Sequence, residues 1–156
     1  MNALAEMLGV SSDSIVIAGV FLLAAAFVWK FGRNRGILLL VSVYAAAIFA
    51  YVLGPLTIIT DSLGAYAYPA LFAVTLGAFY WLLKRAFGLA LESGNRRVMT
   101  AAILGATISI ALITVSYVAV PLGDIYDFGT TIDGVFSAEA YGRWLFLLPL
   151  VSLFFI

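Results

Sequence analysis

Three sets of side chains in this sequence have the chemistry to bind or react. Seven of the eight Lys and Arg residues fall in two clusters, Lys30, Arg33 and Arg35, then Lys84, Arg85, Arg96 and Arg97. Cations grouped this way attract anions, and beside a bilayer they attract anionic lipid or a membrane partner. Asp124, Asp127, Asp133 and Glu139 form an acidic set with the charge to hold a cation. Their spacing differs from that of a calcium-binding loop, and a solvated loop accounts for them better. The third set is the hydroxyls inside apolar runs: Ser42, Tyr44, Tyr51, Thr57, Thr75, Thr107, Ser109, Thr114 and Ser116. Such groups bond their own helix or a neighbour, or else line a polar path between protomers. Tyr44 and Tyr51 are seven apart and share one helix face.

What is missing removes whole classes of chemistry. The chain has no Cys and no His. It therefore has no thiolate nucleophile, disulfide, Cys-held metal, His-ligated haem or His proton relay. Gly32-Arg33-Asn34-Arg35-Gly36 places glycines beside cations, but it lacks the strand–loop–helix context and the Lys-Ser/Thr pair of a phosphate loop. Lys30 and Lys84 stand at the ends of apolar runs, so a Ser/Lys dyad at mid-membrane has no support. The residues point to no catalytic site, no cofactor, no metal and no nucleic-acid partner, and the chain reads as a non-enzyme.

The elements carrying these residues are membrane helices. Apolar residues make up 65% of the 156 and charged residues only 10%, with a mean hydropathy of +1.15. A soluble domain carries about a quarter charged residues. The expected fold is all-α, a polytopic transmembrane helical bundle forming one integral membrane domain over residues 1–156. Four helices are expected over 13–31, 37–59, 66–83 and 98–120, with a candidate fifth over 137–156. The third has the composition to continue toward Leu91. Gly54-Pro55 should bend or end the second, and Pro69 stands near the start of the third, where proline is tolerated. The first apolar run lacks a basic segment before it and a cleavage site after it, so it reads as a retained helix. Pro149 interrupts the last run, which either spans, lies along the interface or re-enters the bundle.

The segment Lys30 to Gly36 reads as a tight, positively charged turn between helices one and two. Seven of the eight acids lie toward the opposite ends of the helices, Glu92 being the exception, and Arg143 is the one cation away from the basic clusters. The positive-inside rule then places both basic connections in the cytoplasm and the N-terminus outside. Trp29 and Trp81 fall at the expected inner boundary, and Tyr66, Tyr68, Tyr117 and Trp144 at the outer one. No ionisable residue stands mid-span, which counts against a proton- or ion-coupled transporter.

Small residues predict where helices meet. Ala101, Gly105 and Ser109 recur every fourth position in helix four, with Ala102 and Ala106 beside them. That spacing lets backbones approach closely. Ala45, Ala46, Ala47 and Ala50 give helix two a second slim surface. Either face can serve packing within the chain or an oligomer.

The pattern resembles the colicin V production protein (CvpA) family of bacterial inner-membrane proteins. Three features carry the resemblance: Asp13-Ser14-Ile15-Val16-Ile17 opening the first helix, the turn Phe31-Gly32-Arg33-Asn34-Arg35-Gly36, and Arg96-Arg97-Val98 leading into Ala101 and Gly105. The chain departs from the family where an Asp-Arg pair with a following Gly would stand; here Asn95-Arg96-Arg97 and Thr100 occupy that place. The resemblance implies a non-enzymatic, multi-pass protein of the inner (cytoplasmic) membrane, linked to toxin export and envelope physiology. It also implies structural importance for Gly32, Arg33 and Gly36. Together these readings predict a scaffold or accessory subunit of a secretion or envelope-maintenance assembly, whose partners are the bilayer and other membrane subunits or further copies of itself. The alternatives are a small oligomeric channel or transporter subunit and, further off, a membrane enzyme.

Overall fold

The computed structural model describes residues 12–53, 64–87, 98–118 and 142–153, and among them every regular element is helical. Helix α1 is Ser12–Phe31, α2 is Arg33–Leu53, α3 is Ala67–Phe87, α4 is Val98–Val118 and α5 is Gly142–Ser152, with a 3-10 turn at Gly64–Tyr66 before α3. Helices α1 to α4 are each long and apolar enough to cross a membrane. At 1.5 Å per residue they are about 30 Å long, the thickness of a bilayer's hydrocarbon core.

The packing order is α3, α2, α4, α1, with α5 laid on α4. Helix α4 is the centre, because it packs along α1, α2 and α5. It is apolar all round, as a helix surrounded by protein and lipid must be. Leu104, Ile108, Ala111 and Val115 form its core-facing side and meet Ala24 and Val28 of α1 and Leu40, Val43 and Ala47 of α2. Helices α1 and α2 touch each other far less than either touches α4.

Helix α2 begins four residues earlier than the expected Ile37. The expected seven-residue turn is a single residue, Gly32, at φ 90°. The Gly32 N–H donates to the Val28 carbonyl at 2.7 Å and closes α1, while its carbonyl accepts from the Gly36 N–H at 3.2 Å and opens α2. One glycine thus ends one helix and starts the next, in a left-handed conformation that L side chains adopt only at a cost. Charge does not break a helix; only the reversal at Gly32 does.

The other boundaries follow the apolar runs. The 54–59 part of the expected second helix lies outside the described residues, as do 119–120 of the fourth. Helix α3 runs on past the expected Leu83 to Phe87. Helix α5 covers only 11 residues, about 16 Å, with Pro149 inside it; the remainder of the expected 137–156 helix is outside the described residues except for Leu153.

Candidate functional site

The two faces of small residues are used inside the chain. Ala101, Gly105 and Ser109 are all buried. A Cβ added at Gly105 would lie 2.8 Å from the Cα, 2.9 Å from the N and 2.9 Å from the Cβ of Ala25. Those are backbone-level contacts, so α1 and α4 approach as closely as glycine permits. Ala24-Ala25-Ala26 supplies the matching slim stretch on α1. Gly36 plays the same part for α2: a Cβ there would meet Leu104 Cδ2 at 2.5 Å and Val28 Cγ2 at 2.8 Å. Ala46, Ala47 and Ala50 of α2 are buried as well, whereas Ala102 faces outward.

Five of the nine hydroxyls are committed to their own backbone, while Thr57 and the Ser116 side chain lie outside the described residues. Ser42 donates to the Leu38 carbonyl at 2.7 Å, Thr75 to Leu71 at 2.8 Å, Thr107 to Ile103 at 2.9 Å, Ser109 to Gly105 at 2.8 Å and Thr114 to Ile110 at 2.7 Å. Each closes onto its own helix one turn back, the cheapest way to satisfy a hydroxyl in an apolar medium. Among the described residues, no buried side-chain polar atom lacks a partner.

Tyr44 is different. Its hydroxyl reaches another helix and donates to the Phe146 carbonyl at 2.6 Å, while its ring meets that of Phe146 edge-on, centroids 5.0 Å apart. Phe146 lies in the turn that Pro149 interrupts. Proline has no N–H, so that turn is short of one helical donor. The carbonyl deprived of that donor is Leu145's, and Tyr44 ties α5 to α2 through the next carbonyl along. At the far end of α5, Ser152 donates to the Pro149 carbonyl at 2.7 Å and stands 3.4 Å from the Thr107 hydroxyl. Tyr44 and Thr107 both lie near the middles of their helices, so the described part of α5 is held at mid-bundle. Tyr51 shares a nominal face with Tyr44, yet it is 69% exposed, against 7% for Tyr44. Phe146 covers one and not the other. Sequence spacing fixed the shared face but carried no sign of where α5 would lie.

The cations gather at one end of the bundle. Lys30 ends α1, and Arg33 and Arg35 sit in the first turn of α2. Lys30 Nζ lies 5.5 Å and Arg35 Cζ 5.6 Å from the centre of the Phe31 ring, so two helices direct a cation onto one aromatic face. Lys84 and Arg85 close α3, with Arg85 Cζ 5.6 Å from the Trp81 ring. Tyr80, one turn before Lys84, meets Phe27, one turn before Phe31, at 6.0 Å. Phe27 in turn stacks on Phe31 at 4.8 Å. This aromatic run places the basic end of α3 beside the α1–α2 turn. All these cations are exposed. Arg96 and Arg97 lie outside the described residues, as do Asp124, Asp127, Asp133 and Glu139.

Cations in the first turn of α2 oppose the helix dipole, whereas Lys30 at the end of α1 complements it. Helix stability therefore does not account for Arg33 and Arg35. Of the expected belt residues, Trp29, Trp81, Tyr66 and Trp144 are exposed on the outside of the bundle, while Tyr68 turns inward against the core. Among the described residues, no three His, Cys, Asp or Glu come together as a metal site. No protein-family model, curated protein or solved structure matches this chain.

Proposed function

We propose that this chain is a non-enzymatic scaffold or accessory subunit of a membrane assembly. In this reading the four long helices are multi-pass spans of a bacterial inner membrane, with the N-terminus outside and the basic ends in the cytoplasm. The observation that carries it is the committed interior: small residues close the helix seams, and Ser42, Tyr44, Thr75, Thr107, Ser109 and Thr114 are spent on backbone carbonyls. Such an interior builds a rigid frame and offers no polar path. The resemblance of the α1–α2 turn to the CvpA family suggests secretion or envelope maintenance as the setting. A channel or transporter subunit would use those same hydroxyls to line a gap between protomers, so their inward commitment favours the scaffold. The outer surface is apolar, with Leu22, Leu23, Val74 and Met99 each at least 64% exposed. That surface takes lipid or partner helices.

Gentle extraction from native membranes followed by mass determination of the intact assembly tests the proposal. A larger protein bound at fixed stoichiometry is the expected result. A homo-oligomer that conducts ions or solute in a flux assay would overturn it in favour of the channel.

A further inference from the structure

We propose that the basic rim formed by Lys30, Arg35, Lys84 and Arg85 binds the phosphodiester headgroups of anionic bilayer lipids, with Phe31 and Trp81 as platforms that hold the cations at headgroup level. The proposal goes beyond the scaffold reading and rests only on the four long helices crossing a bilayer.

The first observation is convergence. Lys30 and Arg35 come from different helices, yet both lie over the single ring of Phe31. Long cationic side chains on a surface otherwise sample many positions, and a contact with a shared ring biases both toward the same place. Arg85 is biased in the same way over Trp81. The second observation is the surface beside these cations. Trp29 is 61%, Trp81 56%, Phe87 53% and Phe31 40% exposed, all on the outside of the bundle. Each cation thus borders an apolar, aromatic surface facing the hydrocarbon. A ligand with a phosphate at one end and an acyl chain at the other satisfies both features: guanidinium groups pair with phosphate oxygens, and the chain lies along the ring faces.

The same geometry selects lipid over a free anion. The cations are exposed, so their attraction for a soluble phosphate is weakened by water and salt. A lipid gains the apolar contact in addition and is already concentrated in the plane of the rim.

The test uses the purified full-length chain in a mild detergent, with phosphatidylglycerol and phosphatidylcholine as probes. Native mass spectrometry reads retained lipid, and the thermal midpoint in phosphatidylcholine checks folding. Wild-type protein is expected to retain phosphatidylglycerol preferentially. K30Q/R35Q/R85Q should lose that preference by about tenfold or more. F31L keeps every charge and should lose about two- to fivefold, because the shared platform is gone. R85Q alone gives a graded loss if the triple variant does not fold. Equal retention of the two lipids by wild-type protein would overturn the proposal, as would an undiminished preference in F31L and R85Q. Displacement of the lipid by excess glycerol 3-phosphate would overturn the assignment to lipid and leave a plain anion site.

Discussion

The Tyr44 hydroxyl on α2 bonds the Phe146 carbonyl on α5 at 2.6 Å, beside the turn that Pro149 weakens. Tyr44→Phe keeps the ring and its edge-on contact and removes only this bond. The expected loss is about 0.5–2 kcal/mol, the range for hydrogen bonds between membrane helices. Tyr44→Ala removes the ring as well and should cost about 3–5 kcal/mol. Denaturant titration in detergent micelles checks both, and equal losses in the two variants would show that the ring contributes nothing.

Gly105 and Gly77 make a matched pair. A Cβ at Gly105 collides with the backbone of Ala25, whereas one at Gly77 meets nothing within 4 Å. Gly105→Ala should force α1 and α4 apart and destabilise by about 1–3 kcal/mol. Gly77→Ala should be neutral or stabilise by up to about 1 kcal/mol through helix propensity. The discriminating measurement is the difference in thermal midpoint between the two variants; midpoints in the opposite order would place the tight seam elsewhere.

Gly32 sits at φ 90°, where any other L residue is strained. Gly32→Ala should cost about 1–3 kcal/mol with no new steric contact invoked. Gly36→Ala provides the contrast. It keeps an ordinary helical backbone, but its Cβ would lie 2.5 Å from Leu104 Cδ2 and 2.8 Å from Val28 Cγ2 in the buried core, so its cost of about 1–3 kcal/mol is overpacking rather than backbone strain. Thermal unfolding in the same detergent checks both, and an unchanged midpoint in the Gly32 variant would show that the reversal does not need glycine.

Orientation is open to chemical labelling. A cysteine replacing Arg35 should be shielded from an impermeant thiol reagent in intact cells, and one replacing Asp61 should react. Labelling in the reverse pattern would invert the proposed topology.

The spans were legible because each is a long apolar run ended by charge, glycine or proline. The stripe Ala101, Gly105, Ser109 was legible as a packing face, since every fourth small residue shapes a groove whatever fills it. Its occupant, Ala25, was not, because complementarity between helices far apart in sequence leaves no local mark. The turn was located, but its length was misjudged. Arg33, Asn34 and Arg35 are polar, and polarity between two apolar runs reads as a loop, yet nothing in those side chains prevents helical hydrogen bonding. Both expected outcomes for the hydroxyls occur: Ser42, Thr75, Thr107, Ser109 and Thr114 bond their own helix, and Tyr44, whose long side chain reaches past its own helix, bonds a neighbour. The meeting of Lys30 and Arg35 over Phe31 depends on the abrupt reversal at Gly32 and could not be seen without it.

The reversal at Gly32 also decides which parts of the core are contiguous in the chain. Helices α1 and α2 are joined by the single residue Gly32, so they form one hairpin rather than two separable segments. Yet they scarcely touch along their length, because the space between them belongs to α4. Taken without α4, that hairpin has an open cleft whose walls are Ala24, Ala25, Val28 and Leu40. Along the chain, the element that fills the hairpin therefore comes after the walls that receive it.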